Sequence, residues 1–191
     1  MAGAGWNPAI HIQEVHMNTL EAIAKRRSTR SYTATPISEE SLNAILQAGF
    51  AAPVAMARYD SLHITVLQNE DVIKRINDAT SEMFSKRMGT KKNTDFGART
   101  LLFVSTATEG LPIEMAYANV GIVVENMVIA ATDLGIDTVI LGGAPRIIVE
   151  DEALMKDLGI PAGMKPVLGI CLGYATAEEP PKTHSITVNR V

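Results

Sequence analysis

The sequence predicts one soluble domain that mixes helices with strands. Three observations carry the prediction: 191 residues at 47% hydrophobic and 20% charged, several segments with apolar residues at helical spacing, and short apolar or alternating runs between them. No internal repeat, linker or low-complexity block divides the chain, so residues 17–191 are expected to form a single unit.

The elements follow in order. Residues 1–16 include Gly3, Gly5 and Pro8 and show no period, which predicts an N-terminal extension. Asn18 can cap a helix over about 19–27, with Glu21 closing a capping box and Leu20, Ile23 and Ala24 on the apolar face. Ser38 starts a second helix over about 38–49, where Leu42, Ile45 and Leu46 recur at helical spacing. Leu62, Ile64 and Val66 alternate with polar residues, as a half-buried strand does. The polar stretch 69–92 carries Val72, Ile73, Ile76 and Met83 at helical intervals and breaks near Gly89. Leu101 to Val104 is a short apolar run that fits a buried strand.

From Ile113 to Leu134 the apolar residues cover most of a helical circumference, which predicts a helix buried nearly all round. Such a helix spans about 34 Å, and burial against an identical subunit is the economical way to cover it. Glu125, Asn126 and Asp133 interrupt the run, so a buried helix is expected rather than a membrane span. The polar groups of Glu125 and Asn126 are expected to bond at the dimer seam. A strand over Ile136 to Leu141 runs into Gly142-Gly143-Ala144-Pro145. A short helix follows over Glu150 to Leu158, and a last strand over Pro166 to Tyr174. The tail carries Pro180-Pro181 and a β-prone Ile186-Thr187-Val188.

The segment Lys25-Arg26-Arg27-Ser28-Thr29-Arg30-Ser31-Tyr32 concentrates cations and hydroxyls at the exit of the first helix. Two readings fit it: an anion site, a phosphate being the commonest partner, or a solvated helix end with cations on the C-terminal dipole. The net charge is −4 and the pI about 5.6, which argues against a general nucleic-acid binder. The single cysteine, Cys171, leaves no intrachain disulfide or cysteine-rich zinc site and fits a reducing compartment, by default the cytoplasm. Its surroundings, Leu168-Gly169-Ile170-Cys171-Leu172, predict a core thiol. His63 reads as a structural or solvent-facing strand residue. Gly142-Gly143 after a strand allows either a plain turn or a close backbone approach to a ligand. It lacks both the G-x-G-x-x-G spacing and a Walker lysine, and no H-E-x-x-H, C-x-x-C or nucleophile-elbow pattern occurs. Metal and acyl-transfer chemistry therefore have no support.

In order, these segments resemble the FMN-dependent nitroreductase family from about 18 to 175. Ala24 to Tyr32 is similar to the family's R-R-S-x-R-x-F/Y signature, Ala48 to Pro53 to its A-x-x-A-P turn, and Asp95-Phe96-Gly97-Ala98 to its Y-G-A-P element. Leu134 to Asp137, Leu158 to Pro161, Lys165 to Val167 and Leu172 to Tyr174 match downstream elements. The resemblance implies an α+β fold with a mostly antiparallel sheet flanked by helices, as an intertwined homodimer with FMN at the interface. By resemblance Arg26 and Ser28 bind the FMN phosphate with help from Arg27, and Arg30 sits near the flavin N1–O2 edge. Pro53 belongs to the cofactor site, and Gly142 and Gly143 supply backbone donors near N5 and O4. Lys182 and His184 resemble a C-terminal phosphate-binding pair, with His184 in place of an arginine.

The chain departs from the family after Pro53, where Val54-Ala55-Met56-Ala57-Arg58-Tyr59-Asp60 replaces the serines and the N-x-Q-P-W run. Arg58 or Tyr59 are the candidates to compensate for the missing asparagine and glutamine. The implied activity is hydride transfer from NADH or NADPH through FMN to a nitroaromatic, quinone or similar electron-poor acceptor, in a ping-pong cycle that needs no catalytic side chain. Other flavin reactions on the same fold (reductive dehalogenation, flavin fragmentation, oxidation) are the alternative, as is an FMN-binding protein without turnover. A small-molecule acceptor is expected as partner, with neither nucleic acid nor membrane.

Overall fold

The computed structural model describes residues 17–178, 180 and 184–191. The expected extension over 1–16 and the candidate Lys182 lie outside the described residues.

Ten elements follow one another: α1 Thr19–Lys25, α2 Glu39–Phe50, β1 Leu62–Leu67, α3 Glu70–Met88, β2 Thr100–Ala107, α4 Ile113–Asp133, β3 Asp137–Leu141, α5 Ala144–Glu150, α6 Glu152–Asp157 and β4 Met164–Gly173. The strands form a four-stranded sheet of order β1-β2-β4-β3, and every neighbouring pair is antiparallel. The α+β class with an antiparallel sheet is thus the observed architecture.

Two cores sit on the two faces of the sheet, because alternate strand residues point to opposite sides. Leu102 and Val104 of β2 with Ile170 and Leu172 of β4 pack under α2 and α4, against Ile45, Val124 and Met127. Leu101 and Phe103 with Cys171 and Val139 face α3, α5 and α6, against Ile73, Ile148 and Leu154. The register between β2 and β4 shifts at Val104/Ser105. At the α2–α4 crossing, a Cβ on Gly49 would lie 2.9 Å from Met127 Cγ, so the glycine sets the approach of the two helices.

The caps read from sequence are present. Asn18 accepts the Glu21 N–H at 3.0 Å while the Glu21 carboxylate accepts the Asn18 N–H at 3.1 Å. Ser38 caps α2 through the Ser41 N–H, and Gly89 ends α3 in the left-handed region at φ 74°. Four expectations are corrected. Helix α1 stops at Lys25, with Arg26 already non-helical, and its packed residue is Ala22 while Leu20 is 76% exposed and Ile23 exposed as well.

Within the single chain helix α4 is core on one side, and the burial of its other side against an identical subunit stays an expectation. Ala116, Val120, Val123, Val124, Met127, Val128 and Ala131 are buried, but Tyr117 (42%) and Ile122 (39%) are open in the single chain. By length and hydropathy alone α4 could cross a membrane; its buried side makes it the central core helix of the fold. Residues 150–158 do not form one helix either. Asp151, at φ −119° and ψ 100°, breaks the chain between α5 and α6 and caps α6 through the Leu154 N–H. Helix α5 was hidden in sequence by Gly-Gly-Ala-Pro, which reads as a turn, although proline is well suited to a first helical turn. Residues 186–188 form no strand, and Ile186 and Val188 are exposed.

Candidate functional site

The cation segment leaves α1 in extended form and runs along the β3 side of the sheet. Ser28 bridges Thr138 in parallel, and Tyr32 bridges Ala175 antiparallel. Backbone bonds fix its course: Thr29 N–H to Thr138 O at 2.9 Å, Thr33 N–H to Tyr174 O at 2.8 Å, and Thr176 N–H to Ser31 O at 3.1 Å. The Asp137 carboxylate holds this corner by accepting the Ala175 N–H at 2.9 Å.

The Asp95–Ala98 turn closes over the same segment. Tyr32 N–H donates to Phe96 O at 3.1 Å, and Cys171 Sγ lies 3.5 Å from Asp95 O. A Cβ on Gly173 would meet the Tyr32 ring at 2.9 Å, so the ring lies flat on glycine backbone. Burial drives the Tyr32 hydroxyl far above the usual tyrosine range, with Cys171 and Asp137 adding to the shift and Arg30 opposing it. Burial likewise raises the Cys171 thiol, as expected of a core cysteine.

The four cations use their donors differently. Arg27 turns back on α1 and donates to Ala24 O, Lys25 O and Arg26 O, the capping reading of the cluster in atomic form. Its Nε reaches Pro180 O at 3.0 Å, which ties the tail to the cluster. Arg26 spends one donor on Arg27 O and Arg30 one on Ser28 O, so most of the five donors on each guanidinium stay available. Three arginines elsewhere are paired: Arg58 with Asp60, Arg75 with Asp151 and Asp157, and Arg99 with Glu70. Among the described residues no carboxylate forms an ion pair with Lys25, Arg26, Arg27 or Arg30.

A cleft of about 610 Å³ opens beside them, lined by Lys25, Arg27, Thr132, Asp137, Thr176 and Glu178 among others. Arg26, Ser28, Arg30, Pro53, Gly142 and Gly143 do not line it. Buried hydroxyls of Thr29 and Thr138 have no partner among the described residues. The guanidinia of Arg26 and Arg30, with most of their donors available, suit a phosphate-bearing group, while the cleft beside them also carries the carboxylates of Asp137 and Glu178.

The glycines divide. Gly142 has open space where a Cβ would stand, whereas a Cβ on Gly143 would lie 3.1 Å from Phe84 and 3.4 Å from Thr80. Gly143 therefore serves helix packing whatever else it does. Thr138 and Gly142 are four steps apart along β3 and its exit, about 13 Å, so the cation segment and the glycine turn mark the two ends of one strand. His184 is exposed and outside any element.

The segment after Pro53 is built by side chains. Asn119 of α4, 1% exposed, accepts the Ala55 N–H at 2.9 Å. Arg58 pairs with Asp60, the Tyr59 hydroxyl donates to Ala52 O at 3.1 Å, and the Ser61 hydroxyl donates to Arg58 O at 2.6 Å. Arg58 and Tyr59, the expected substitutes for the missing polar residues, are thus engaged within the loop itself. Sequence reasoning missed Asn119, whose one signal was an amide at a core position of the α4 pattern. It expected Asn126 to bond at a dimer seam; within the chain, the Asn126 amide donates to Ala48 O of α2.

A model of the nitroreductase family matches residues 23–174. Among solved structures, the chain is similar to an FMN-dependent nitroreductase from Clostridium difficile R20291, with a TM-score of 0.79 and 25% identity over 91% of this chain and 99% of that one. A nitroreductase with bound FMN from Bacteroides fragilis NCTC 9343 gives a TM-score of 0.77 and 28% identity, over 92% and 97%. The NADPH-flavin oxidoreductase of Vibrio harveyi is 25% identical over 169 residues, which are 82% of this chain but only 65% of that relative.

Proposed function

Because the chain belongs to the nitroreductase family, we propose that it is an FMN-dependent oxidoreductase that uses NADH or NADPH to reduce nitroaromatic, quinone or similar electron-poor acceptors. The observation that carries this reading is the set of cations without carboxylate partners among the described residues, on a segment that main-chain bonds hold beside a cleft. In this reading Arg26 and Ser28 hold the phosphate, with Arg27 binding it from its capped position. Lys182 and His184, the pair the resemblance assigns to the phosphate, would complete the grip, and Arg27 bonds the nearby tail at Pro180 O. Arg30 keeps a positive charge at the pyrimidine edge of the ring. Gly142 offers backbone without a side chain in the way, Gly143 follows it, and Pro53 lines the ring.

When bound, FMN supplies the hydride relay between nicotinamide and acceptor in a ping-pong cycle. The chain's own part is to bind, orient and keep charge in place, so no side-chain acid or base is assigned. A homodimer is part of the proposal, since Tyr117 and Ile122 of α4 are open apolar surface on a core helix. A reducing compartment, the cytoplasm, suits a chain whose one cysteine is a buried free thiol.

The test is the visible spectrum of the purified protein, followed by NAD(P)H oxidation with a nitroaromatic. Flavin absorbance and acceptor-dependent turnover are expected, and a colourless protein that takes up no FMN sinks the proposal. One observation favours a second reading, an FMN-binding protein without turnover: the loop after Pro53 ties up Arg58 and Tyr59 internally. Flavin that is reduced by dithionite but passes nothing on from NAD(P)H would select it.

A further inference from the structure

The turn that follows Pro53 holds two of the three non-glycine residues that adopt left-handed backbone among the described residues. Met56 and Ala57 both have left-handed backbone, with φ 58° and φ 52°, a conformation costly for residues with a Cβ. At Gly89, Gly97, Gly110, Gly135, Gly159 and Gly163 the chain meets the same demand with glycine. Among the described residues the other exception is Phe96, whose carbonyl holds Tyr32. Strain that persists beside a candidate site has to be imposed by neighbours.

Here the neighbour is Asn119. Its Oδ1 accepts the Ala55 N–H at 2.9 Å, one residue before the strain begins, while its Nδ2 is buried with no hydrogen-bond partner among the described residues. A half-satisfied amide in the core destabilises the fold relative to an apolar residue of similar size. Both costs fall on one short turn, and the turn delivers one product: Met56, 74% exposed. Val54 O accepts the Ala57 N–H at 3.0 Å, so the turn is closed as well as anchored. Three residues of chain span at most about 11 Å, which keeps Met56 close to Pro53. A thioether suits contact with an aromatic ring.

We propose that Asn119 is a positioning residue that holds the 54–57 turn in its left-handed form from inside the core and thereby presents Met56 to an aromatic electron acceptor. The proposal rests on the flavin reading given above. Its test uses FMN-loaded, full-length protein and three variants. Met56→Ala is expected to weaken nitrobenzene binding to the oxidised protein, followed by the flavin absorbance, at least fivefold, and to leave ferricyanide reduction unchanged. Asn119→Ala is expected to weaken nitrobenzene equally and to speed amide exchange at Ala55 at least tenfold. Asn119→Asp, which keeps the acceptor oxygen, is expected to restore both. Unchanged nitrobenzene affinity in Met56→Ala, or equal losses for nitrobenzene and ferricyanide, overturns the role of Met56. Undiminished Ala55 protection in Asn119→Ala overturns the role of Asn119. Wild-type protein that takes up no FMN overturns the flavin reading itself, which separates the two failures.

Discussion

The cation segment 26–32 and the turn 54–61 are both irregular backbone beside the sheet, yet they are held by opposite means. The first is fixed by main-chain bonds to β3 and to the residues after β4, which leaves guanidinium donors free to meet a ligand. The second is fixed by its side chains and by Asn119, which consumes its polar groups and leaves an apolar one outward. On the proposed reading the first region recognises by charge and the second by shape. A cofactor's phosphate and an acceptor's ring make those two demands separately.

Removing charge should produce the largest effect. Arg26→Ala is expected to weaken FMN retention roughly 10- to 150-fold, since a charge-assisted contact contributes about 1.5–3 kcal/mol. It should leave the thermal midpoint of the apoprotein unaltered. Arg27→Ala should lower both, because Arg27 also caps α1; a pair of variants that behave alike would erase this distinction. Next in size is Arg30→Ala, for which spectroelectrochemistry should record a flavin potential roughly 30 mV more negative, equivalent to about 1.4 kcal/mol for two electrons. An unshifted potential would remove Arg30 from the ring.

Relaxing shape should act in the other direction. Ala57→Gly relieves left-handed strain worth about 1–2 kcal/mol but adds unfolded-state freedom of about 0.5–1 kcal/mol, so urea unfolding should show a net gain of up to about 1 kcal/mol. A loss of stability would mean that the turn is not strained. The smallest effect belongs to His63, which follows the turn and whose pKa is lowered by burial. Its neutral form is favoured in the native state, so between the lowered native pKa and the ordinary value near 6.5 the unfolded chain binds more protons. Stability should therefore rise with pH across that window, and fall as pH drops through it. His63→Gln should flatten the slope, and an identical slope would assign it to another group.

Legibility in the sequence followed the same division. The cluster, the caps at Asn18 and Ser38 and the core strands 101–104 and 166–173 were visible because residue type alone dictates their behaviour. The packed side of α1 was misread because Leu20 and Ile23 are apolar but point outward, and apolar character does not say which surface will cover it. Helix α5 was masked by glycines whose flexibility is compatible with either turn or helix entry. The 54–61 turn was seen only as a departure from a pattern. Its left-handed residues and its tether to Asn119 depend on a contact across 64 positions, which no local window contains.

The order β1-β2-β4-β3 has a consequence for how the chain is made. Strand β4, Met164–Gly173, comes last in sequence but lies between β2 and β3. Until those residues leave the ribosome, β2 and β3 have no shared neighbour, and Leu101, Phe103 and Val139 lack the strand that covers them. The sheet is therefore completed from its centre only once its last strand has emerged, through contacts of long sequence separation that slow folding. A chain stopped before Met164 would keep the β1–β2 pair and lose the strand that joins it to β3.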